Sequence, residues 1–242
     1  MTSTLDRSAT YTPVSPSPVM PAEPGTTLRR RVAGATCLGA ASITMAGIFA
    51  TPFEHGSSQK AYLESLAASP KQAMIAAILL HFGYLLFVPA SFTMARLARR
   101  GARKLSAVGI TFATLGVGLS GLLVTDLYDL SIAQHAGTTG GLPISNMTDV
   151  PLAGLGFITM GMMTALGATL GLGLLAGAMR RARLAPLWPS IAIVVGLGIG
   201  YGAHSLTRTA IGFALMCTAI AFIGVKVLRM SDERFNYGSD PR

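Results

Sequence analysis

The sequence predicts an all-α membrane protein, a bundle of six transmembrane helices, and three observations lead to this fold class. The chain of 242 residues is 51% hydrophobic and only 12% charged, about half the charged fraction of a soluble domain. It contains six apolar segments, and most of them reach the ~20 residues that a helix needs to cross ~30 Å of hydrocarbon. The positive charges gather at alternate ends of these segments, as they do in proteins that cross a membrane repeatedly.

The six segments are bounded by charged or turn-forming residues. They run over about 32–51, 73–97, 105–127, 152–179, 187–202 and 209–228. The fifth is short, but Trp188 and Pro189 are typical of a helix that starts at the membrane interface. When this segment is counted, the chain crosses the membrane six times and ends on the side on which it began.

The distribution of lysine and arginine predicts the orientation. If the N-terminus is cytoplasmic, fourteen basic residues flank the inner ends of the segments and three lie on the outer side. The inner residues are Arg29, Arg30, Arg31, Arg96, Arg99, Arg100, Arg103, Lys104, Arg180, Arg181, Arg183, Lys226, Arg229 and Arg234, and the outer ones are Lys60, Lys71 and Arg208. This bias predicts a multi-pass protein of the plasma membrane with both termini in the cytoplasm.

The composition and the apolar segments divide the chain into three parts. Residues 1–28 contain five prolines among Ser, Thr and Ala, which predicts a disordered cytoplasmic tail. Residues 29–230 form the transmembrane domain, and residues 231–242 form a cytoplasmic C-terminal tail. Two outer connections are long, Pro52 to Ser69 and Asp129 to Pro151, and long loops often carry function.

Composition and motifs argue against several classes of partner. The net charge of +9 does not indicate nucleic acid, because the charges flank apolar segments and no aromatic-plus-basic patch accompanies them. Gly116 to Gly121 spells G-x-G-x-x-G, but it lies inside an apolar segment with no strand before it, so no nucleotide site is predicted. Cys37 and Cys217 are each inside an apolar segment and form no metal or redox motif. We therefore expect no cofactor.

Glycines at four-residue spacing indicate close helix packing. The pairs are Gly167-xxx-Gly171, Gly173-xxx-Gly177, Gly196-xxx-Gly200 and Gly198-xxx-Gly202. Small residues at this spacing let two helix backbones approach each other in lipid. They favour packing within the bundle, and they leave open a homo-oligomer or a larger membrane partner. The bilayer itself is the predicted environment.

Ionisable and phenolic residues concentrate in the outer half of the predicted bundle. They form a candidate polar pocket of His81, Tyr84, Asp126, Asp129, Tyr201 and His204. His81 lies about 12 Å deep at 1.5 Å per residue, and the pairs His81-x-x-Tyr84 and Tyr201-x-x-His204 each place an imidazole and a phenol on one helical face. Such groups at membrane depth usually have a partner or a purpose. The alternative is that His81 makes one interhelical hydrogen bond while the aspartates and His204 are ordinary interfacial residues.

No His spacing typical of zinc sites is present, so no metal is predicted.

Four stretches carry a resemblance to a known class. They are Ala61 to Leu66, the apolar run that ends at Val88-Pro89-Ala90, the basic turn Met94 to Lys104 and the acidic exit Thr125 to Asp129. Together with 15 arginines against 4 lysines, they make the chain similar to the small, uncharacterised six-span membrane proteins of high-GC Gram-positive bacteria. The resemblance implies a six-span fold and assigns no catalytic residue.

Three functions fit these observations. The first is a transporter-like protein that handles a small molecule or ion through the polar pocket, with Pro89 inside the second segment as a site for a kink. The second is a membrane-embedded enzyme that acts on a lipid or prenyl-like substrate through Asp and His acid–base chemistry. The third is an accessory or immunity-type subunit without chemistry. The sequence leaves open whether the chain is an enzyme.

Overall fold

The computed structural model describes residues 24–52, 59–119, 131, 134, 151–202 and 206–237. Within these ranges 89% of the residues are helical and there is no β-strand, which is the all-α class that the sequence predicts. Away from its two ends, a helix satisfies its backbone donors and acceptors within one segment, so it tolerates surroundings without water.

Eight α-helices and one π-helical segment make up the described chain. They are α1 (Thr26–Ala50), α2 (Gln59–Ala68), α3 (Pro70–Ala98), α4 (Arg103–Ala113), the π-helical segment Thr114–Leu119, α5 (Pro151–Arg181), α6 (Trp188–Gly202), α7 (Leu206–Arg229) and α8 (Asp232–Tyr237). Three of them, over Thr26–Ala50, Pro70–Ala98 and Thr207–Arg229, are long and apolar enough to cross a membrane, and Trp188–Tyr201 is a shorter apolar helix.

The helix boundaries differ from the predicted ones in three places. Helix α1 begins at Thr26, so the last three residues assigned to the N-terminal tail are helical. The first outer connection contains α2, a helix of 10 residues. The C-terminal tail contains α8. The first turn of α1 and the short helices α2 and α8 lack the continuous apolar stretch on which the sequence prediction relied.

The long helices pack in chain order around a ring. Helix α1 packs against α3 and α7. Helix α5 packs against α4 and α6, and α6 also packs against α7. Helix α3 contacts α4, the π-helical segment and α5. The core between them includes Cys37, Phe87, Leu175, Ile193 and Ile220, each at most 1% exposed. The ring closes where the first long helix meets the last.

The outer surface of the ring is apolar as well. Phe49 is 71% exposed, and Ile75, Phe82, Phe92 and Ile191 are all more than half exposed. A soluble monomer rarely presents so much contiguous apolar surface to water, whereas a membrane protein turns such side chains toward lipid. The distribution of apolar residues therefore supports a membrane-embedded protein.

Glycines bring the helix backbones into contact inside the ring. Gly116 of the π-helical segment lies against Gly167 of α5, and Gly171 lies against Ala113 of α4. On the other side of the ring, Gly196 lies against Gly212 of α7. Among the glycines of the predicted pairs, Gly167, Gly171 and Gly196 thus lie against other helices of the chain, whereas Gly198 meets nothing within 4 Å.

Four basic segments lie at one end of the ring. The carboxylate of Asp232 in α8 accepts a hydrogen bond from Arg30 Nε at 2.7 Å, which joins the start of α1 to the end of the chain. Arg96 at the end of α3 lies over the ring of Phe235 in α8 at 5.6 Å. A Cβ on Gly101 would come within 2.7 Å of the Ala182 backbone, so the α3–α4 and α5–α6 turns also meet there. We call this the basic end.

A clasp of hydrogen bonds holds α1 to α8 at the basic end. Asp232 accepts hydrogen bonds from Thr27 and Arg30, the Arg30 guanidinium also donates to the Leu228 carbonyl, and Asn236 donates to Thr26 Oγ1 at 2.8 Å. The hydrogen bonds from Thr27 and Arg30 hold the pKa of the Asp232 carboxyl below its ordinary value of 3.8. The clasp therefore depends on the ionised carboxylate.

The α5–α6 turn is tight. Arg183 adopts φ 59°, and the next N–H, that of Leu184, donates to the Met179 carbonyl at 2.9 Å. A left-handed residue followed by this long-range backbone bond is a common way to end a helix. The turn places Trp188 at the start of α6, where its ring packs on Phe222 of α7 with centroids 4.8 Å apart.

The glycine contacts predict a difference between two alanine substitutions in the same helix. In Gly196→Ala the new methyl group would lie 2.5 Å from the Gly212 carbonyl oxygen, so α6 and α7 must separate, at a cost of about 1–3 kcal/mol. Gly198→Ala places its methyl group in open space. Thermal unfolding in detergent should give a lower Tm for the first variant only, and equal Tm values would contradict the packing described.

The clasp predicts a pH-dependent contribution to stability. Because the Asp232 pKa is lowered on folding, its contribution is present above the ordinary carboxyl pKa and is lost as the pH falls through the folded pKa. Asp232→Asn should lower the Tm at pH 7, and its difference from the unsubstituted protein should shrink as the pH falls below the ordinary carboxyl pKa of 3.8. The exposed neighbour offers a control, Glu233→Gln, which should leave the Tm unchanged. A Tm difference independent of pH would count against the carboxylate's role.

Candidate functional site

A small cavity lies where five elements of the ring converge. Helices α3, α5, α6 and α7 and the π-helical segment each contribute to its wall. Its lining residues are Tyr84, Phe87, Val117, Thr164, Ala168, Leu172, Leu197, Tyr201, Phe213 and Met216. We call it the central cavity.

Two of the six predicted pocket residues meet at this cavity. Tyr84 comes from α3 and Tyr201 from α6, so the ring brings together phenols that are 117 positions apart in the chain (201 minus 84). The Tyr201 ring packs edge-on against Phe213 of α7, with centroids 5.7 Å apart and planes at 72°. This contact fixes the plane of one phenol at the cavity wall.

Thr164 of α5 adds a hydroxyl to the wall. Its side chain is only 9% exposed, and it lies on the same face of α5 as Ala168 and Leu172, which also line the cavity. The spacing of four residues was visible in the sequence, but a single threonine in an apolar helix gave no reason to select it. The sequence prediction therefore missed this residue.

The cavity is narrow and mostly apolar. It has about 10 Å³ for the centre of a water molecule, which is close to the least that one water requires. Three of its lining residues, Tyr84, Tyr201 and Thr164, carry an uncharged hydroxyl, while the rest of the wall is apolar. A cavity of this size has room for one water molecule but not for a bulky substrate.

A change in helix type occurs beside the cavity. The helix that begins at Arg103 is α-helical to Ala113 and π-helical over Thr114–Leu119, and Val117 of the π-helical segment lines the cavity. Short π-helical stretches in α-helices are rare and occur frequently at functional sites. The contact of Gly116 with Gly167 holds this stretch against α5.

His81 lies one helical turn from Tyr84 and does not itself line the central cavity. Its side chain is partly buried, and its ring stands edge-on to Phe82 at 5.7 Å. The Nδ1 atom is buried and has no hydrogen-bond partner among the described residues. The interhelical hydrogen bond of the alternative interpretation is thus not formed by Nδ1 in the described part of the chain.

The other three predicted pocket residues lie outside the described residues. They are Asp126, Asp129 and His204. The same holds for Glu54 and His55 of the first outer connection. Within the ranges that are described, no group of three His, Cys, Asp or Glu side chains is placed to hold a metal ion.

Comparison of the chain with protein-family models, with curated protein sequences and with solved structures finds no match. The functional assignment consequently rests on the geometry of the side chains alone.

Proposed function

We propose that the protein crosses the plasma membrane six times, with both termini in the cytoplasm. The clustering of basic segments at one end of the ring supports this arrangement. Arg30 and Arg96 contact the C-terminal helix α8, and Gly101 lies against Ala182 at the end of α5. Lys71 and Arg208 lie near the starts of α3 and α7, at the opposite end of these helices. Concentrated positive charge favours the cytoplasmic side.

Reporter fusions test this topology directly. Green fluorescent protein fused after Arg242 should fluoresce, and alkaline phosphatase at the same point should be inactive, because the former folds in the cytoplasm and the latter requires export. Phosphatase inserted between Gly140 and Gly141 should be active. An active phosphatase at the C-terminus would contradict an even number of crossings from a cytoplasmic start.

We propose further that the protein is transporter-like and handles protons or small cations through the central cavity. The observation that carries this proposal is the convergence of Tyr84, Tyr201 and Thr164 on one cavity beside a π-helical segment. These three residues come from three helices, and neutral oxygens such as theirs are the kind of group that replaces water around a small cation or relays a proton.

Residues near the cavity extend the proposed path outward. His81 lies one turn away from Tyr84 along α3, and its buried Nδ1 has no hydrogen-bond partner among the described residues, so it is available to a proton or ion on this path. Asp126 and Asp129 follow the π-helical segment in the sequence and supply negative charge that attracts a cation. The narrowness of the cavity corresponds to a closed state, which must widen for an ion to pass.

A flux assay with conservative substitutions tests the proposal. Purified protein in liposomes, with a lumenal pH dye and an imposed potassium diffusion potential, should change the lumenal pH faster than protein-free liposomes do. Tyr84→Phe and Tyr201→Phe should each slow this flux about five- to tenfold, because each removes one hydroxyl contact worth about 1–1.5 kcal/mol.

The matched control is Tyr62→Phe. Tyr62 packs with Leu66 and Ala73 in a separate small cluster of α2 and α3, away from the central cavity, so its loss should leave the flux unchanged. Flux in the unsubstituted protein no greater than in empty liposomes, for protons and for sodium or potassium alike, would refute the assignment.

A further inference from the structure

A second cavity lies at the basic end, between the end of α3 and the start of α4. It has a volume of about 430 Å³, within the range of small-molecule sites. Its lining residues are Phe92, Ala95, Arg96, Arg99, Arg103, Ser106, Ala107 and Ile110. We call it the hairpin groove, and it is separate from the central cavity in every residue.

The groove has a charged part and an apolar part. Arg96, Arg99 and Arg103 are exposed, and none of them pairs with a carboxylate in the described part of the chain. Away from the turn the wall is formed by Phe92, which is 55% exposed, and by Ile110 with two alanines. An occupant that fits both parts has an anionic group joined to an apolar chain.

Ser106 provides an independent sign of a ligand. Its side chain is 97% buried (100 minus 3% exposed), it lines the groove, and its Oγ has no hydrogen-bond partner among the described residues. A buried hydroxyl without a partner is unfavourable, because it has lost its hydrogen bonds to water and gained none in return. An acceptor oxygen in the groove, close to the arginines, would satisfy it.

The first turn of α4 favours the same kind of oxygen. Helix α4 begins at Arg103, and its N-cap residue, Ala102, makes no side-chain capping bond. The first backbone N–H groups of a helix are unpaired without such a cap and carry partial positive charge. Phosphate groups bind at such helix starts, and here the unpartnered Ser106 hydroxyl lies one turn further along.

Among the described residues, the acidic groups at this end do not neutralise the groove. Asp232 is bound by Thr27 and Arg30 in the clasp, and Glu233 is its exposed neighbour. Arg96 also contacts the Phe235 ring, which orders its side chain without cancelling its charge. The groove therefore retains a net positive charge.

We propose that the hairpin groove binds one anionic phospholipid, with the phosphate on the arginines and Ser106 and an acyl chain along Phe92 and Ile110. The groove lies at the end of α3, a helix long and apolar enough to span a membrane, so its charged part is at headgroup level. Basic pockets between membrane helices bind acidic headgroups. Two other occupants would fit the groove less well. Free phosphate would leave the apolar wall uncovered. A second copy of this chain, related by two-fold symmetry, would place its arginines against the same arginines of the first copy.

Native mass spectrometry of the full chain in detergent tests the proposal. Dioleoylphosphatidylglycerol should be retained as one tightly held molecule per protein, at least tenfold more tightly than dioleoylphosphatidylcholine. Arg99→Ala combined with Arg103→Ala should abolish that preference, and Ser106→Ala should weaken phosphatidylglycerol binding about three- to tenfold. If the double variant does not fold, as judged by its Tm, Arg99→Gln alone provides the same comparison.

The control removes equal charge from the same end of the ring. Arg180 and Arg181 lie outside the groove. The variant Arg180→Ala combined with Arg181→Ala should therefore leave the lipid preference intact. An equal loss in this control would show that general positive charge, not the groove, attracts the lipid, and would overturn the proposal. Equal retention of the two lipids would do the same. Displacement of the lipid by millimolar inorganic phosphate would indicate a free-anion site and would refute the lipid assignment.

Discussion

The structure depends on backbone contact between helices at glycine. In lipid, apolar side chains gain little by leaving the bilayer for another helix, so association relies on close packing. The pairs Gly116 with Gly167 and Gly196 with Gly212 allow this approach on two sides of the ring. They also position the walls of the central cavity. Val117, the residue after Gly116, and Leu197, the residue after Gly196, both line it. A bulkier residue at these points would move the cavity walls apart.

The long helices could be predicted from the sequence because hydrophobicity and length determine them. The predicted segments over about 73–97 and 209–228 correspond to α3 and α7, each extended by a few residues. Helix α2 and helix α8 were not predicted, since short amphipathic pieces have no apolar run to distinguish them from loops. The π-helical segment also gave no sequence signal, because it depends on how Gly116 meets another helix.

The candidate site was predictable in part. Helical spacing placed Tyr84 and Tyr201 in the outer half of the bundle, and the ring brings them to one cavity. Thr164 and Ser106 could not be chosen beforehand, because a hydroxyl in an apolar helix usually bonds to its own backbone, as Thr111 does to the Ala107 carbonyl. Only the fold shows that the Ser106 hydroxyl lacks this bond. The arginines of the basic turn predicted orientation, but their grouping around a groove required the α3–α4 geometry.

The clasp between α1 and α8 has a consequence for biosynthesis. Arg30 and Asp232 are 202 residues apart in the chain, so at a translation rate of 5–20 residues per second the first helix waits about 10–40 seconds for its partner. During this interval the face of α1 that later packs on α7, including Gly34 and Cys37, is without its final neighbour. Closure of the ring is therefore a late step, and the nascent protein passes through an open form that a chaperone or the insertion machinery can still engage.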